Sequence, residues 1–275
     1  MADPPPAFAT RASLAADLSA LGLSAGDLVM VHAAMRRVGP LLNGPDALIG
    51  ALLDVVGPAG TVMAYADWDS RQDELTDETD RVRPEWREHV PPFDSLRSRA
   101  TRLNGILPEF LRTTPGARRS GNPGASVAAL GRLADWITAD HPLDYGYGEG
   151  SPLARLVEAR GRVLMVGAPW DTMTLLHHAE HLARLPNKRV FRVEVPFADE
   201  DGTRWRWIEE FDTAAPVVDG LPEDAIGRIV GAMVAAGAGR RGLVGAAPSL
   251  LVEAEPAVRF AVDWLERWAS ARESN

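Results

Sequence analysis

The sequence predicts a single α/β domain in which a mostly parallel central sheet is covered by helices and includes an antiparallel hairpin portion. Three patterns predict this class. Short apolar runs, DLVMVH at 27–32 and TVMAYA at 61–66, are typical of buried strands. The amphipathic segment between them completes a β-α-β unit, which is typical of parallel sheets. The polar turn ADEDG at 198–202 separates two alternating segments and predicts the hairpin.

The remaining elements continue this alternation. Ser13 is expected to cap the first helix, and Pro45 lies near the start of the second. Residues 67–100 form a polar, acidic and proline-rich segment, and loops of this length are usually functional or mobile. We expect a flexible N-terminus over 1–12 and one domain over 13–270. The expected helices span 13–21, 44–60, 104–117, 151–161, 175–182, 222–237 and 256–270, and the expected strands span 27–32, 61–66, 125–131, 162–168, 189–197 and 203–211.

Composition excludes several classes of protein. The chain has no cysteine, which removes disulfides, thiolate metal ligands and a cysteine nucleophile. Its N-terminus lacks a basic head followed by an apolar run, and no stretch reaches the roughly 18 apolar residues of a membrane helix. We therefore expect a cytoplasmic protein without a membrane partner. The formal net charge of −9 argues against nucleic acid and suits a polycationic small ligand, although simple solubility also explains it.

The segment LLHHAEHL at 175–182 contains His177, Glu180 and His181 in the order H-x-x-E-H. This spacing occurs in zinc hydrolases, where two imidazoles bind the metal and the carboxylate is the base. The helix follows a buried strand, so its first turn lies at the carboxyl edge of the sheet, where α/β proteins bind ligands. His181 lies a turn deeper and is expected to be less accessible, which favours one reactive imidazole over a metal pair. A hydrogen-bonded interior histidine is the remaining alternative.

Six segments, in order, resemble the aminoglycoside N(3)-acetyltransferases, the antibiotic acetyltransferase family. They are LVMVHAAMRRVGPL, GPDALIGALLDVVGPAGTVMAYADW, LPEFLRTTPGARRSGNPGASVAALG, YGYGEGSPLARL, TLLHHAEHL and RGLVGAAPSLLVEAEPAVRFAVDWLE. The resemblance runs from about Ser13 to Trp268. It implies the antibiotic N-acetyltransferase-like fold, which is not the GNAT fold, and no metal. It also implies transfer of acetyl from acetyl-CoA to the 3-amino group of the 2-deoxystreptamine ring of aminoglycosides, giving resistance.

The resemblance implies roles for the acidic and basic residues of the site. His177 matches the family's catalytic histidine, and an imidazole suits a general base that takes a proton from the attacking amine. Glu210 and Asp212 alternate along the second hairpin strand and align with acidic residues of the family's active site. We expect Glu210 to orient His177, and Asp212 to support it or to bind a substrate ammonium. A solvated strand edge is the alternative for this pair. Because no serine lies in a nucleophile-elbow context, direct transfer in a ternary complex is expected.

The loop after the first strand is expected to hold acetyl-CoA through backbone N–H groups, with Arg36 and Arg37 pairing its phosphates. Family members commonly have two hydroxyl residues where this chain has Ala33 and Ala34, so those side-chain hydrogen bonds are lost. Asn122 stands where histidine is common in the family, and it cannot become charged. Plain turn chemistry is the alternative for the glycine and serine turns. The residues expected to contact acetyl-CoA are His32, Ala33, Ala34, Met35, Arg36, Arg37, Val38, Gly39, Arg119, Ser120 and Ser151.

The residues expected to bind the antibiotic are acidic or aromatic, because carboxylates attract ammonium groups and aromatic rings pack on sugars. Asp171 is explained equally well as a cap of the histidine helix. Two alternative hypotheses stay open. The protein acetylates another amine, or it binds acyl-CoA or cations without catalysis. A monomer or a homodimer is expected. The expected antibiotic-binding residues are Tyr65, Asp67, Trp68, Asp69, Asp171 and Glu180.

Overall fold

In the computed structural model, which describes residues 8–70, 72–200 and 202–273, a seven-stranded mixed sheet has helices on both faces and lies beside a separate two-stranded hairpin. The predicted α/β class is confirmed. The strands are β1 (Leu28–Ala33), β2 (Thr61–Tyr65), β3 (Arg118–Arg119), β4 (Val127–Gly131), β5 (Arg162–Val166), β6 (Val190–Asp199), β7 (Gly202–Phe211), β8 (Arg240–Val244) and β9 (Ala247–Glu253). The helices are α1 (Arg11–Leu21), α2 (Met35–Val38), α3 (Pro45–Val56), α4 (Leu107–Thr113), α5 (Ala134–Thr138), α6 (Pro152–Glu158), α7 (Leu175–Leu182), α8 (Ala225–Ala235) and α9 (Ala254–Glu273).

The centre of the large sheet is parallel and its flanks are antiparallel. The strand order is β3-β4-β2-β1-β5-β9-β8. Strand β1 pairs in parallel with β2 and with β5, which confirms the predicted parallel centre. Strands β4 and β9 then pair antiparallel with β2 and β5. The carboxyl ends of the three central strands therefore meet at one edge of the sheet.

Side chains alternate between the two faces of β1 and so separate two hydrophobic cores. Met30 belongs to the core beneath α5 to α9, whereas Val29 and Val31 belong to the core beneath α1, α3 and α4. The next position on the face of Met30 is His32. This alternation places His32 on the side of the sheet covered by α7.

The helix boundaries follow local sequence preferences, with one correction. Thr10, and not Ser13, caps α1: Thr10 accepts a hydrogen bond from the N–H of Ser13, and the Ser13 side chain accepts one in return from the N–H of Thr10. Ser13 therefore occupies the third helical position. Helix α3 begins at Pro45 and ends before Gly57, as expected. Of the predicted flexible N-terminus, residues 1–7 lie outside the described residues, and Ala9 already donates a backbone hydrogen bond to Pro40.

The acidic segment 67–100 packs against the hairpin formed by β6 and β7. Arg87 forms an ion pair with Glu194, and its guanidinium lies 4.0 Å from the ring centroid of Trp205. The backbone of Phe93 is hydrogen-bonded to Pro196 and Ala198 at 2.7 and 2.9 Å. The segment and the hairpin thus build one wall beyond the carboxyl edge of the sheet. Among the helices of the described residues, none is both long and apolar enough to span a membrane.

Candidate active site

Two adjoining cavities lie at the carboxyl edge of β1, β2 and β5. The strand-edge cavity, about 230 Å³, is lined by residues that follow β1 and β5 and by the start of α7. The hairpin cavity, about 510 Å³, is lined by α7, the hairpin and the acidic segment. Both are lined by Tyr65, Leu103 and Asn104, so these three residues form a shared wall. Two ligands bound in these cavities would meet at that wall.

His177 lies on the wall of the hairpin cavity and is paired with Glu180. The Nδ1 atom of His177 lies 2.7 Å from Oε2 of Glu180, which is buried one helical turn further along α7. A carboxylate at this distance accepts the Nδ1–H, which leaves Nε2 of the imidazole as the proton acceptor. The ring of Tyr147 lies 5.3 Å away, centroid to centroid. Glu180, predicted as an antibiotic ligand, is therefore the residue that orients His177.

Glu210 also lines the hairpin cavity, but its imidazole partner is His181. The Nε2 atom of His181 lies 2.9 Å from Oε1 of Glu210, at ion-pair distance but outside hydrogen-bond geometry. The predicted pairing of Glu210 with His177 is wrong, because the end of β7 packs against the second turn of α7 and not the first. Each outer histidine of the H-x-x-E-H motif thus faces its own carboxylate. Among the described residues, no cluster of three potential metal ligands is found.

Asp212 does not share the position of Glu210. Strand β7 ends at Phe211, so the alternation that predicted a common face no longer applies at residue 212. The carboxylate of Asp212 instead lies 3.4 Å from Nη2 of Arg189. Glu209, the neighbour of Glu210 on β7, is not in the described lining of the cavity and accepts a hydrogen bond from the hydroxyl of Tyr145 at 2.5 Å.

Three of the predicted antibiotic ligands line the hairpin cavity: Tyr65, Asp67 and Trp68. The Tyr65 hydroxyl donates to the carbonyl oxygen of Gly124 at 2.7 Å. Asp67 accepts a hydrogen bond from Asn104, and burial raises the pKa of the Asp67 carboxyl to about 7 despite the nearby Arg119. A cationic ligand would lower the pKa of this carboxyl, because a positive charge favours its ionised form.

Two further predicted antibiotic ligands, Asp69 and Asp171, lie elsewhere. Asp69 is exposed, and the described lining of neither cavity includes it. Asp171 lies in a 3₁₀ turn, Trp170–Thr172, that packs on α8, with its Cβ 3.7 Å from the position of a Cβ at Gly227. The residue immediately before α7 is Thr174, so the alternative role of Asp171 as its cap is also wrong. Asp171 lies in the turn between β5 and α7, before Thr174 and outside α7.

The predicted acetyl-CoA loop divides into two parts. His32, Ala33 and Ala34 line the strand-edge cavity. The guanidinium of Arg37 donates to the carbonyl oxygen of Gly167 at 2.9 Å, which holds it near the end of β5. Arg36 is exposed, Met35 packs against the core, Val38 is buried in it, and Gly39 has a φ of 95° in the turn after α2.

The backbone donors of this loop are partly occupied. The N–H of Ala34 donates to the carbonyl oxygen of Val166 at 2.9 Å, and the N–H of Arg37 donates to that of Ala34 at 2.8 Å. The expectation that backbone N–H groups here bind acetyl-CoA is therefore not met at these two positions.

Three residues predicted to bind acetyl-CoA instead support the structure. Arg119 is buried and donates to Ser126 Oγ and to the carbonyl oxygens of Ser98 and Ala66. The buried hydroxyl of Ser120 accepts a hydrogen bond from the backbone N–H of Val127. The buried hydroxyl of Ser151, which caps α6, accepts one from the backbone N–H of Ala154.

Asn122, where the family commonly has histidine, closes a turn that faces the hairpin cavity. Its Oδ1 accepts from the N–H groups of Gly124 and Ala125, and its Nδ2 donates to the carbonyl oxygens of Pro142 and Leu143. A neutral amide satisfies all four bonds, so the position needs no charge.

Sequence reasoning missed the apolar wall of the site, and Leu103 and Asn104 of the shared wall. Phe191, Val193 and Val195 line the hairpin cavity at alternate positions of β6. Their period of two is visible in the sequence and would have placed one hairpin face in the site. Tyr147, whose hydroxyl lies 2.6 Å from that of Tyr65, has no comparable pattern.

The fold and the paired cavities define an α/β protein in which a histidine–glutamate pair lies on the wall of one of two adjoining cavities. A sequence profile described as aminoglycoside 3-N-acetyltransferase matches residues 30–266. The chain is 45% identical over 257 residues to the aminoglycoside N(3)-acetyltransferase III of Pseudomonas aeruginosa, covering 94% of this chain and 93% of the relative. It is 47% identical over 266 residues to the aminoglycoside N(3)-acetyltransferase VII of Streptomyces paromomycinus, covering 94% and 91%. The chain belongs to the aminoglycoside 3-N-acetyltransferase family.

Solved structures agree with this assignment. A structure described as AAC-IIIb binary with CoASH superposes with a TM-score of 0.94 at 67% identity, covering 96% of this chain and 98% of that one. A neutron/X-ray structure of sisomicin-bound AAC-VIa superposes with a TM-score of 0.91 at 35% identity, covering 96% and 100%. The predicted fold and family are thereby confirmed.

Proposed function

We propose that the protein transfers the acetyl group of acetyl-CoA to the 3-amino group of the 2-deoxystreptamine ring of aminoglycoside antibiotics, and so gives resistance to them. The observation that supports this most directly is the His177–Glu180 pair on a cavity wall that adjoins a second cavity. The similar AAC-IIIb structure contains CoASH, and that of AAC-VIa contains sisomicin. Two substrates of this kind match the two adjoining cavities.

His177 is the general base of the proposed reaction. Its Nδ1–H is held by Glu180 at 2.7 Å, so Nε2 takes the proton from the attacking amine as the C–N bond forms. The charge of Glu180 stabilises the resulting imidazolium, as the carboxylate does in other histidine–carboxylate pairs. The C–S bond breaks, and coenzyme A leaves as the thiolate, which takes up a proton. The shared wall at Tyr65 and Asn104 supports direct transfer with both substrates bound.

The hairpin cavity suits a polycationic sugar. It presents the carboxylates of Asp67 and Glu210 to ammonium groups, and the chain has a net charge of −9. Trp68 and Phe191 supply apolar surface for the faces of the sugar rings. Binding of an ammonium group beside Asp67 ionises a carboxyl that burial otherwise holds partly protonated near neutral pH.

The strand-edge cavity suits a narrow thioester arm. Its lining includes Ala33, Ala34 and Gly105, which have little or no side chain. Gly105 has a φ of 78°, and a Cβ there would approach the carbonyl oxygen of Ala33 to 3.4 Å, so a larger residue would be strained and would narrow the cavity. The exposed Arg36 and the anchored Arg37 supply positive charge for the phosphates of acetyl-CoA. Because this substrate is made in the cytoplasm, we propose that the protein acts there.

A thiol-release assay tests the proposal. The protein is incubated with acetyl-CoA and a panel of aminoglycosides, released coenzyme A is measured, and the position of the acetyl group on each product is determined by NMR. A single acetyl group on the 3-amino position is the expected result. Release of coenzyme A with another amine, or acetylation at another position, would show that the acceptor differs from the one proposed. Tight binding of acetyl-CoA without release by any amine would indicate a binder instead of an enzyme. The predicted monomer or homodimer is measured on the same sample by light scattering.

A further inference from the structure

His32 is half-buried, but one of its ring nitrogens is fully enclosed. Its Nε2 atom is buried and has no hydrogen-bond partner among the described residues. By contrast, His141 is hydrogen-bonded to Ser120 and Gly146 and His178 to Tyr147, while Nε2 of His181, which also lacks a hydrogen bond, lies 2.9 Å from a carboxylate oxygen of Glu210. An unpaired polar atom in the interior is costly and uncommon in native proteins. An imidazole kept in this state next to a binding cavity is suited to a partner that arrives with the substrate.

The position of His32 identifies which substrate that is. It lines the strand-edge cavity, which we assign to the thioester arm of acetyl-CoA, together with Thr174 at the start of α7. The alternation along β1 places it on the face of the sheet that α7 covers, which is also the helix of His177. Burial, and to a smaller extent the nearby His177, lower the pKa of the His32 imidazole to about 4. At neutral pH it is therefore uncharged, with one N–H and one lone pair.

Several other donors at this edge of the sheet are absent or occupied. Ala33 and Ala34 have no side-chain donor, and the N–H groups of Ala34 and Arg37 are bonded within the protein. The Nδ2 group of Asn104 donates to Asp67. Two side chains of the cavity lining can still donate to a ligand: His32, near the end of β1, and the hydroxyl of Thr174.

We infer that His32 donates a ring N–H to the thioester carbonyl oxygen of acetyl-CoA and stabilises the negative charge that develops there during transfer. The inference rests on the proposed function. While the amine nitrogen bonds to the carbonyl carbon and the C–S bond breaks, His177 takes the amine proton and coenzyme A leaves with the sulfur electrons. His32 keeps its proton throughout. A neutral imidazole is suited to this task, because it donates a hydrogen bond to an oxyanion without transferring the proton.

The test compares His32→Leu, which cannot donate, with His32→Gln, which can. Loss of one donor to a developing oxyanion typically lowers kcat by about 10²–10³-fold. We expect a decrease of this size in His32→Leu, a smaller one in His32→Gln, and an unchanged aminoglycoside KM in both. Because leucine leaves no polar atom unpaired, the thermal midpoint of His32→Leu should equal or exceed that of the wild type. A loss of activity without a loss of stability distinguishes a catalytic role from a structural one.

Two further measurements make the result decisive. Thr174→Val is the matched control, because Thr174 lines the same cavity and valine preserves its shape; a large fall in kcat there, with none in His32→Leu, would overturn the inference. The dissociation constants of acetyl-CoA and coenzyme A are also compared. His32→Leu should weaken the binding of acetyl-CoA, which has the thioester carbonyl, and leave that of coenzyme A unchanged. The ratio of the two dissociation constants is measured without an acceptor. If the wild type acetylates no aminoglycoside, the proposed function fails, and an unchanged ratio in His32→Leu would separately refute the carbonyl contact.

Discussion

Nδ1 of His177 lies 2.7 Å from Oε2 of Glu180, and both side chains extend from the same helix, α7. The proposed base and the carboxylate bonded to it are therefore positioned by one rigid element. His181 follows on the same helix and contacts Glu210 on β7, which joins the helix to the hairpin. In the proposed mechanism, α7 thus sets the geometry of proton transfer, while the hairpin supplies the carboxylate of Glu210 to the hairpin cavity.

Replacement of His177 tests the assignment of the base. His177→Ala should lower kcat by about 10²–10⁴-fold, the usual contribution of a general base. The dissociation constant of coenzyme A should stay within error, because the strand-edge cavity does not include this side chain in its described lining. The exposed His89 provides a control, and His89→Ala should keep wild-type turnover. Wild-type turnover in His177→Ala would require a different base.

Glu180→Gln and Glu210→Gln form a matched pair, since both changes remove one charge and keep the shape. Glu180→Gln should lower kcat by roughly 10–100-fold, because the imidazolium of His177 loses its carboxylate partner. Glu210→Gln should mainly raise the aminoglycoside KM by about 10–100-fold, since hydrogen bonds to charged groups contribute roughly 1.5–3 kcal/mol. Steady-state kinetics separate the two effects.

The opposite pattern would restore the pairing that the sequence suggested. If Glu210→Gln lowered kcat at constant KM, and Glu180→Gln raised KM alone, then Glu210 would be the residue that supports His177. A uniform loss of activity in both variants with lower thermal midpoints would indicate a structural role for each carboxylate.

Asp67→Asn should change stability in a pH-dependent way. Burial raises the pKa of Asp67 to about 7, so folding disfavours its ionised form relative to the unfolded value of 3.8. The loss of folding stability that comes from ionising Asp67 is absent below pH 3.8 and grows as the pH rises. It is complete above about pH 7, where it reaches roughly 4 kcal/mol as an upper limit. The variant should therefore gain more stability over the wild type at pH 8 than at pH 5.

The same substitution should weaken aminoglycoside binding, because the ammonium loses a carboxylate partner. Calorimetric titration at pH 8 measures the affinity, and thermal unfolding at both pH values measures the stability. Asp69→Asn is the control: Asp69 is exposed, so neither quantity should change by much. A gain in stability of equal size at pH 5 and pH 8 would contradict the raised pKa.

Arg119→Met should destabilise the fold and leave the coenzyme A affinity of the folded protein intact. The change removes hydrogen bonds to the carbonyl oxygens of Ser98 and Ala66. The oxygen of Ala66 keeps a hydrogen bond from Ser126, whereas that of Ser98 loses its bond from Arg119, and a buried acceptor left unpaired costs about 1–3 kcal/mol. Urea unfolding should show a loss of roughly 2–4 kcal/mol. Arg118→Met, at an exposed ion pair with Asp135, should cost less than about 1 kcal/mol. A loss of coenzyme A affinity without destabilisation would make Arg119 a ligand after all.

Local patterns predicted much of the fold. The apolar run at 61–66 and the helical segment after Pro45 depend on neighbouring residues alone, and the strand and helix they predict are present. Strands β8 and β9 were missed, because RGLVGAAPSLLV contains two short runs separated by small residues and has no clear alternation. Hairpins with such loops are recognised only once the edge of the sheet is known.

The site was predictable where one element determines it. Tyr65, Asp67 and Trp68 line a cavity at the expected edge of the sheet, because they end or follow a strand of the parallel centre, and their contact with an antibiotic stays a prediction. The partners of His177 and His181 depend instead on how far β7 reaches along α7, which is a tertiary distance. Arg119 and Ser120 form a motif typical of anion binding, and only their burial shows that the protein itself uses their hydrogen bonds.

The hairpin of β6 and β7 forms no strand pairing with the seven-stranded sheet in the described residues. It forms much of the wall of the hairpin cavity, whereas His177, Glu180 and His32 belong to the sheet and its covering helix. The residues proposed to set specificity and those proposed to carry out the chemistry therefore lie on different parts of the chain. We expect that exchange of the hairpin and segment 67–100 with those of a related chain alters the range of aminoglycosides modified, provided that position 210 stays acidic to match His181.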